Sequence, residues 1–285
     1  MRVPAALLLL PLVSACEQGD VTVLITDAPA DGLTRFEITL RGVDIEGSDG
    51  SYTEFDFDPP RVVDIVPLRN GNTAALLQDA GIDSGDYTGI RLRFETDERA
   101  PGASLPVARE NGDQLQLAYV EDTAEVAVSF GIDDLGSETL LLDLDLRRSV
   151  REDDDDIADG QLRFDPSLRA VINDQRATLS GVISPAIYNQ AGCLPAVYLF
   201  EEFDRDPAGL ADNDPPLAST VASIADPTGR GYRIGALEAG EYTAAVTCDA
   251  AVDDPEAGEV DTDITFEVTA NVRLRAGETV TRNFP

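Results

Sequence analysis

The sequence predicts an all-β protein that consists of two antiparallel β-sandwich domains in tandem. Apolar and polar residues alternate over short runs, and Gly, Pro, Asn or Asp interrupts these runs about every dozen residues. In residues 87–95 (YTGIRLRFE), for example, the apolar side chains Ile90, Leu92 and Phe94 fall on one face of a strand. Helix-like periodicity is confined to residues 72–79, where Asn72 is placed to cap a short turn.

The first domain is predicted over residues 21–174, and polar turn sequences such as residues 47–50 (GSDG) separate its strands. The remaining strand candidates of this domain are residues 21–26, 36–43, 52–57, 61–65, 115–120, 124–130 and 139–146.

The second domain is predicted over residues 175–285, after a polar break at residues 173–175 (NDQ). Its strand candidates are residues 177–184, 196–200, 217–223, 232–234, 241–248, 264–269 and 279–284. Strands this short and this closely spaced are typical of a sandwich.

Residues 1–15 have the character of a secretory signal peptide. Arg2 supplies a positive charge, residues 3–13 are apolar, and small residues precede Cys16. The pattern resembles the lipobox of bacterial lipoproteins, which implies cleavage before Cys16, acylation of this residue and a lipidated tether over residues 16–20. The alternative is an ordinary cleaved signal with Cys16 close to the cut by chance.

The lipobox resemblance predicts a location in the cell envelope, with the lipid bilayer as the partner of acylated Cys16. The apolar run is shorter than the ~20 residues that a spanning helix needs, and no later segment is apolar for long enough either. Glu17 follows the cysteine, whereas an Asp there resembles the inner-membrane retention signal of enteric lipoproteins. We therefore expect the outer membrane of a Gram-negative bacterium.

The composition excludes several classes of function. The chain has 54 acidic and 21 basic residues, a formal net charge of −33, and neither His nor Lys. A phosphate backbone needs a basic surface, so nucleic acid is not an expected partner. Without imidazole there is no Ser-His-Asp catalysis and no His-based zinc site, and without lysine there is no Schiff base.

The excess of acidic residues has two interpretations. One is a solvated surface suited to high ionic strength. The other is cation binding, for which the candidate ligands are Asp153, Asp154, Asp155, Asp156 and Asp159. Their spacing does not match a calcium-binding EF-hand loop, so we expect a solvated turn, no cofactor and, as the alternative, bound Ca²⁺.

Cys193 and Cys248 form an even pair in a chain predicted to be exported, which predicts one disulfide. Two free buried thiols are the alternative. The bond would close a loop of 55 positions and stabilise the fold by about 4 kcal/mol.

Several blocks of the first domain resemble the bacterial domain of unknown function DUF4382, over about residues 20–172. The blocks are residues 24–31 (LITDAPAD), 55–60 (FDFDPP), 63–65 (VDI), 84–92 (SGDYTGIRL), 142–145 (LDLD), 148–150 (RSV) and 166–171 (PSLRAV). The resemblance implies an exported, often lipid-anchored protein. It brings no established activity and no catalytic residues.

Residues 177–285 resemble the carboxypeptidase regulatory-like or prealbumin-like modules, which are small seven-stranded sandwiches used as spacers or binding modules. The motif is Asp226 with Gly229, Gly231 and Tyr232, followed by residues 237–243 (LEAGEYT). An acidic, proline-rich insertion at residues 201–216 replaces the short second loop of these modules.

Both domains have a Gly-acid-Tyr-Thr sequence at the start of a strand, at residues 85–88 and 240–243. A tyrosine in this position can bury its ring and return its hydroxyl to a nearby backbone group, as in a tyrosine corner. Tyr87 and Tyr242 are therefore predicted to be structural.

The function predicted is that of a non-catalytic envelope lipoprotein, a binding or structural module with an envelope or extracellular partner. A calcium- or carbohydrate-binding surface lipoprotein is the alternative, although sugar-binding platforms are scarce because the chain has no Trp. A hydrolase that uses two carboxylates is the third hypothesis. With 54 acids, some pair lies at a suitable distance by chance, so this signal is weak.

Overall fold

The computed structural model describes residues 18–28, 32–96, 105–151, 160–253 and 264–285. In these ranges the chain forms twenty strands, two four-residue α-helices and one 3-10 helix, so the predicted all-β fold is confirmed. None of the helices described has the length and apolar character needed to traverse a bilayer.

The first half of the chain contains twelve of these strands. They are β1 (Gln18–Ala28), β2 (Leu33–Gly47), β3 (Tyr52–Asp64), β4 (Ala74–Asp83), β5 (Gly85–Phe94), β6 (Val107–Arg109), β7 (Gln114–Tyr119), β8 (Thr123–Ile132), β9 (Ser137–Asp145), β10 (Val150–Arg151), β11 (Gln161–Phe164) and β12 (Leu168–Ile172). A 3-10 helix, Val66–Gly71, precedes β4, and α1, Leu146–Ser149, follows β9.

These strands form two sheets that pack face to face. One has the order β12-β9-β1-β4, and the other has the order β10-β11-β7-β6-β2-β5-β8 with β3 paired to β2. Val21, Val23 and Ile25 alternate with half-buried or polar neighbours along β1 and pack into a single apolar core between the sheets. Phe36, Phe94 and Phe164 meet in the same core, with the ring of Phe164 edge-on to the other two.

The sheets are mainly antiparallel, but β1 and β9 run parallel. Parallel pairs also join β7 to β11 and β13 (Ala177–Ile183) to β20 (Thr279–Thr281). Parallel strands are usually covered on both faces and therefore consist of near-continuous apolar residues. β9 fits this description, because the residues from Leu140 to Asp145 are all buried.

Three details of the first half differ from the prediction. β1 begins at Gln18, so the strand starts within the segment predicted as a tether. β3 is one continuous strand across residues 52–64, where two separate strands were predicted. Residues 74–83 form β4 and not a helical turn, because pairing with β1 buries Leu76 and Leu77, and this pairing outweighs a weak local helix propensity.

The second half contains the remaining eight strands and one short helix. These elements are β13, α2 (Pro185–Tyr188), β14 (Ala196–Glu201), β15 (Ala218–Val221), β16 (Ile224–Asp226), β17 (Gly229–Leu237), β18 (Gly240–Thr247), β19 (Phe266–Leu274) and β20. They form two four-stranded sheets with the orders β16-β17-β13-β20 and β15-β14-β18-β19. Leu179, Val197, Tyr232 and Val246 contribute to the core between these sheets.

The predicted disulfide is present between Cys193 and Cys248. Cys193 lies shortly before β14 and Cys248 directly follows β18, and the Leu194 N–H donates to the Cys248 carbonyl at 2.9 Å. The bond therefore fastens the start of one central strand to the end of its neighbour.

Both predicted tyrosine corners are also present. The Tyr87 hydroxyl donates to the Asp83 carbonyl at 2.5 Å, and the Tyr242 hydroxyl donates to the Glu238 carbonyl at 2.9 Å. Both rings are buried. Each tyrosine thus secures the turn that leads into its own strand.

We predict that the double substitution Cys193→Ala and Cys248→Ala lowers the free energy of unfolding by about 4 kcal/mol, because the unfolded chain regains the freedom that the closed loop removes. Urea denaturation measures this change. A reductant should destabilise the wild-type chain by a similar amount and leave the double variant unaffected. Equal sensitivity of both proteins to the reductant would contradict the prediction.

Candidate functional site

Three buried carboxylates lie close together where β1 and β9 end. Because the two strands run parallel, their carboxyl ends meet at one edge of the sheet, with Thr26 opposite Asp143 and Ala28 opposite Asp145. Asp27, Asp143 and Asp145 are only 5%, 3% and 2% exposed. Charged groups are rarely buried to this extent without compensation, which makes the cluster the candidate site of the molecule.

Asp143 and Asp145 have partners. Arg169 lies opposite Asp143 in the neighbouring strand β12 and forms a salt bridge with it. Asp145 caps α1 by accepting a hydrogen bond from the Arg148 backbone N–H at 3.3 Å. Burial nevertheless raises the pKa of Asp145, against the opposing effect of Arg169.

Asp27 lacks such partners. Neither of its carboxylate oxygens accepts a hydrogen bond with good geometry. Burial, followed by the charge of Asp143, raises the pKa of Asp27 well above its usual value, while Arg69 and the backbone N–H of Leu146 lower it by less. The site therefore favours the neutral form of this carboxyl.

A small polar cavity lies beside Asp27, between the two halves of the chain. Its volume is about 30 Å³. Thr26, Asp27, Asp143 and Arg169 line it from the first half, and Thr178, Thr220 and Arg233 line it from the second. Buried polar atoms without protein partners surround it, among them Nε of Arg169, Nε of Arg233 and Oγ1 of Thr220. A cavity of this size and polarity suits one or two bridging water molecules.

The cavity bears directly on the hydrolase hypothesis. Two close carboxylates, one with a raised pKa, are the features that an acid-pair hydrolase needs. A ligand pocket, however, typically measures about 300 Å³ or more. The space beside Asp27 is about 30 Å³, and Arg169 already occupies Asp143. These carboxylates are therefore not arranged to receive a sugar or peptide.

Helix α1 directs two arginines onto the second half. Nη1 of Arg147 donates to Oγ of Ser219 at 3.1 Å, and Nη2 donates to the Ala250 carbonyl at 3.0 Å and to the Tyr198 hydroxyl at 3.3 Å. The Tyr198 hydroxyl in turn donates to Asp253. Arg148 donates to the Pro216 carbonyl at 3.3 Å. A single turn of helix thus joins the two halves through a charged network.

Apolar contacts complete this junction. Leu141 and Val171 of the first half, with the half-buried Leu24, pack against Ala236 of β17. Gly71 has φ +89°, and the guanidinium of Arg233 lies directly over it, where a Cβ would come within 3.1 Å of Nε. Glycine is therefore required both by the backbone conformation and by the close approach. We call the residues at the contact between the two halves the junction: Leu24, Asp27, Gly71, Leu141, Asp143, Asp145, Arg147, Arg169, Val171, Arg233 and Ala236.

The structure describes only some of the site residues predicted from the sequence. Cys193 and Cys248 are bonded as predicted. Cys16 and the five aspartates from Asp153 to Asp159 lie outside the described residues. Among the residues that the structure describes, no three acidic or cysteine side chains are grouped to hold a metal ion.

The junction was not predicted from the sequence. Two aspartates within a run of leucines (residues 140–146, LLLDLDL) are the available signal, since a strand buried on both faces must bury its acids as well. The sequence gives no comparable signal for Arg147, because its partners lie between 51 and 103 residues away along the chain.

A family model described as "Domain of unknown function (DUF4382)" matches residues 18–166, slightly more than half of the chain. No curated protein matches the sequence.

Several solved structures match this chain at low sequence identity. The TIE protein of Bacillus anthracis is 11% identical, with 93% of this chain and 34% of that chain covered and a TM-score of 0.22. The minor pilin GBS52 of Streptococcus agalactiae is 13% identical, with 92% and 94% covered and a TM-score of 0.22. The shaft pilin SpaA of Lactobacillus rhamnosus GG is 10% identical, with 93% and 98% covered and a TM-score of 0.21.

The chain spans about a third of the length of the Bacillus anthracis TIE protein. TM-scores near 0.2 do not indicate a common arrangement of strands, and we infer no function from these three structures.

We predict that Asp27→Asn stabilises the protein at neutral pH. A carboxyl with a raised pKa binds more protons in the folded state than in the unfolded state, so stability falls as pH rises above the unfolded pKa of about 4. The amide does not titrate, and the gain should shrink as the pH is lowered toward 4. Chemical denaturation across this range measures the effect.

Asp49→Asn is the matched control for Asp27→Asn. Hydrogen bonds from Ser51 lower the pKa of this exposed aspartate, so its removal should have the opposite sign. If Asp27→Asn is not more stable than the wild type at neutral pH, the carboxyl of Asp27 is not destabilised by burial and the prediction is wrong.

We predict that Arg147→Ala lowers the free energy of unfolding by about 2–3 kcal/mol, because hydrogen bonds to a charged donor are lost and their buried acceptors remain. Hydrogen exchange of residues 218–221 should become faster at the same time. The control is Arg275→Ala, which removes an exposed arginine 3.8 Å from Glu278 and should change stability little. Equal effects of the two substitutions would contradict a role for Arg147 in the junction.

Proposed function

The chain belongs to the family of domain of unknown function DUF4382, and from this premise we propose that it is a lipid-anchored cell-envelope protein. In this proposal it acts as a non-catalytic binding or structural module at a membrane surface. The junction is the observation that carries the proposal, because its buried charges bind one half of the chain to the other and face a cavity too small for a substrate.

The junction supports a rigid unit. Two domains joined by a flexible linker would share few contacts. Here the hydrogen bonds of Arg147 and an apolar contact join the two halves, and the salt bridge between Arg169 and Asp143 lies directly beside that contact. Only the four residues from Asn173 to Arg176 separate β12 from β13. A connection this short also restricts the relative movement of the halves.

The path of β1 supports a module that projects from a surface. The strand begins at Gln18 and ends at the junction, and its 11 residues span about 36 Å at the usual rise of a strand. An anchor at Cys16 would hold the start of β1 at the bilayer. The second half would then stand at the far end of the first.

We propose the same division of the chain as the sequence suggests, with one change. Residues 1–15 are the signal peptide, residues 21–174 form the DUF4382 domain and residues 175–285 form a carboxypeptidase regulatory-like, prealbumin-like sandwich. The change concerns the tether, which shortens to residues 16 and 17 because β1 already includes residues 18–20. The distal sandwich would present its loops to an envelope or extracellular partner, and the location would be the outer membrane of a Gram-negative bacterium.

A calcium- or carbohydrate-binding role stays a prediction. The aspartates proposed for calcium lie outside the described residues. A hydrolase is the weaker alternative, because the buried acids at the junction leave no room for its substrate.

We predict that Cys16→Ser releases the protein from the membrane fraction, because one residue would carry both the cleavage signal and the lipid. Cell fractionation and mass spectrometry of the N-terminal peptide measure the change. The control is the double variant Cys193→Ala and Cys248→Ala, which keeps Cys16 and should remain with the membrane. Continued membrane association of Cys16→Ser would exclude the lipid anchor.

A further inference from the structure

We infer that Leu135 is a membrane-contacting side chain that seats the protein on the surface of the bilayer next to its lipid anchor. This inference rests on the proposed acylation of Cys16 and adds a second point of attachment to it. The occupant of this surface is a bilayer of zwitterionic lipids.

The start of β1 lies close to the proposed anchor. Gln18 is only two positions after Cys16, and a fully extended chain covers at most about 7 Å over that distance. Gln18 already belongs to the folded sheet, where it lies opposite Asp83. A lipid on Cys16 therefore holds this end of the sandwich at the lipid headgroups. The side chains around Gln18 would then lie next to the bilayer.

Leu135 is at this end of the molecule. Its backbone N–H donates to the Gln18 carbonyl at 3.0 Å, and the Asp20 N–H donates to the neighbouring Gly136 carbonyl at 2.9 Å. The turn between β8 and β9 is thereby fixed against the start of β1. The tip of the β2–β3 hairpin lies at the same end. The Ser48 N–H donates to the Asp86 carbonyl at 2.9 Å, and Asp86 lies opposite Gly131, shortly before the turn that contains Leu135.

The fold itself does not account for a leucine at this position. Its exposed fraction is 94%, the highest among the exposed large apolar side chains of the described residues. Leu135 is the third residue of a turn closed by a bond from the Gly136 N–H to the Asp133 carbonyl, and its φ is +58°. Such a position favours Gly or Asn. The Leu135 side chain thus makes little contact with the rest of the protein, and its backbone has a positive φ, which is unfavourable for leucine.

The surrounding charges define how the contact works. Asp133 and Asp134 are exposed in the same turn, and Asp83 accepts a hydrogen bond from Nε2 of Gln18. Carboxylates do not enter the hydrocarbon, so the leucine reaches the headgroup boundary while the aspartates remain in water. They also repel anionic lipids, which is why a zwitterionic surface fits best. The contact fixes the orientation, with the junction directed away from the bilayer.

The absence of tryptophan from the chain provides a direct test. Leu135→Trp places a single tryptophan, which can be excited selectively at wavelengths where tyrosine does not absorb, at the turn of the full lipidated protein, reconstituted in phosphatidylcholine vesicles. The matched control is Val62→Trp, at a residue 57% exposed and ten positions along β3 from Tyr52, away from the hairpin tip. We expect a shift of the emission to shorter wavelength and quenching by brominated lipids for Leu135→Trp, and neither effect for Val62→Trp.

A second variant separates the membrane contact from any structural role. Leu135→Gly should melt at the same or a higher temperature than the wild type, because glycine suits a positive φ. A clear loss of stability would show that the fold needs the leucine and would overturn the inference.

The remaining outcomes distinguish the inference from the proposed function. An anchored Leu135→Trp protein without a spectral shift would overturn the seating while leaving the lipid anchor in place. Equal shifts in Leu135→Trp and Val62→Trp would overturn it too, since the contact would then not be specific to this end. Wild-type protein that is absent from the membrane fraction would instead refute the anchor, and the seating with it.

Discussion

The parallel pairing of β1 with β9 is the interaction on which the rest of the structure depends. It places Asp27, Asp143 and Asp145 together at the carboxyl ends of the two strands, where all three are buried next to the second half of the chain. Buried carboxylates are costly unless they are paired or protonated. Each of the three carboxyls is stabilised differently. Asp143 is paired with Arg169, Asp145 caps α1, and Asp27 has a raised pKa that favours its neutral form. Each lies at the contact between the two halves.

Arginine is the only basic side chain in this protein, which has 21 arginines and 54 acidic residues. Its planar group donates several hydrogen bonds at once and stays charged when partly buried. Arg147 uses this property to reach a hydroxyl, a carbonyl and a tyrosine on the other half. In the large sheet, Arg91 and Arg93 hold the fully buried Asp44 in the same way. An acid-rich chain is thus organised by a small number of arginines.

The relation of this architecture to the membrane follows from where β1 begins and ends. One end of the strand lies two residues after Cys16, and the other end lies in the junction. If Cys16 bears lipid, the second half is held away from the bilayer and Leu135 is held against it. A chain with 54 acidic and 21 basic residues repels anionic lipid, which is consistent with a protein that stands upright on the bilayer and does not lie flat on it.

The β architecture and the two tyrosine corners could be predicted from the sequence, because strand alternation and a tyrosine after a turn are local patterns. The disulfide could be predicted because Cys193 and Cys248 are the only cysteines left to pair once Cys16 is assigned to lipid. The prediction failed at β4, whose local helix propensity lost to pairing with β1. The parallel register of β1 and β9, and the burial of the junction acids that follows from it, became visible in the folded structure alone. Registers of this kind depend on contacts more than 100 residues apart along the chain, and no local pattern encodes them.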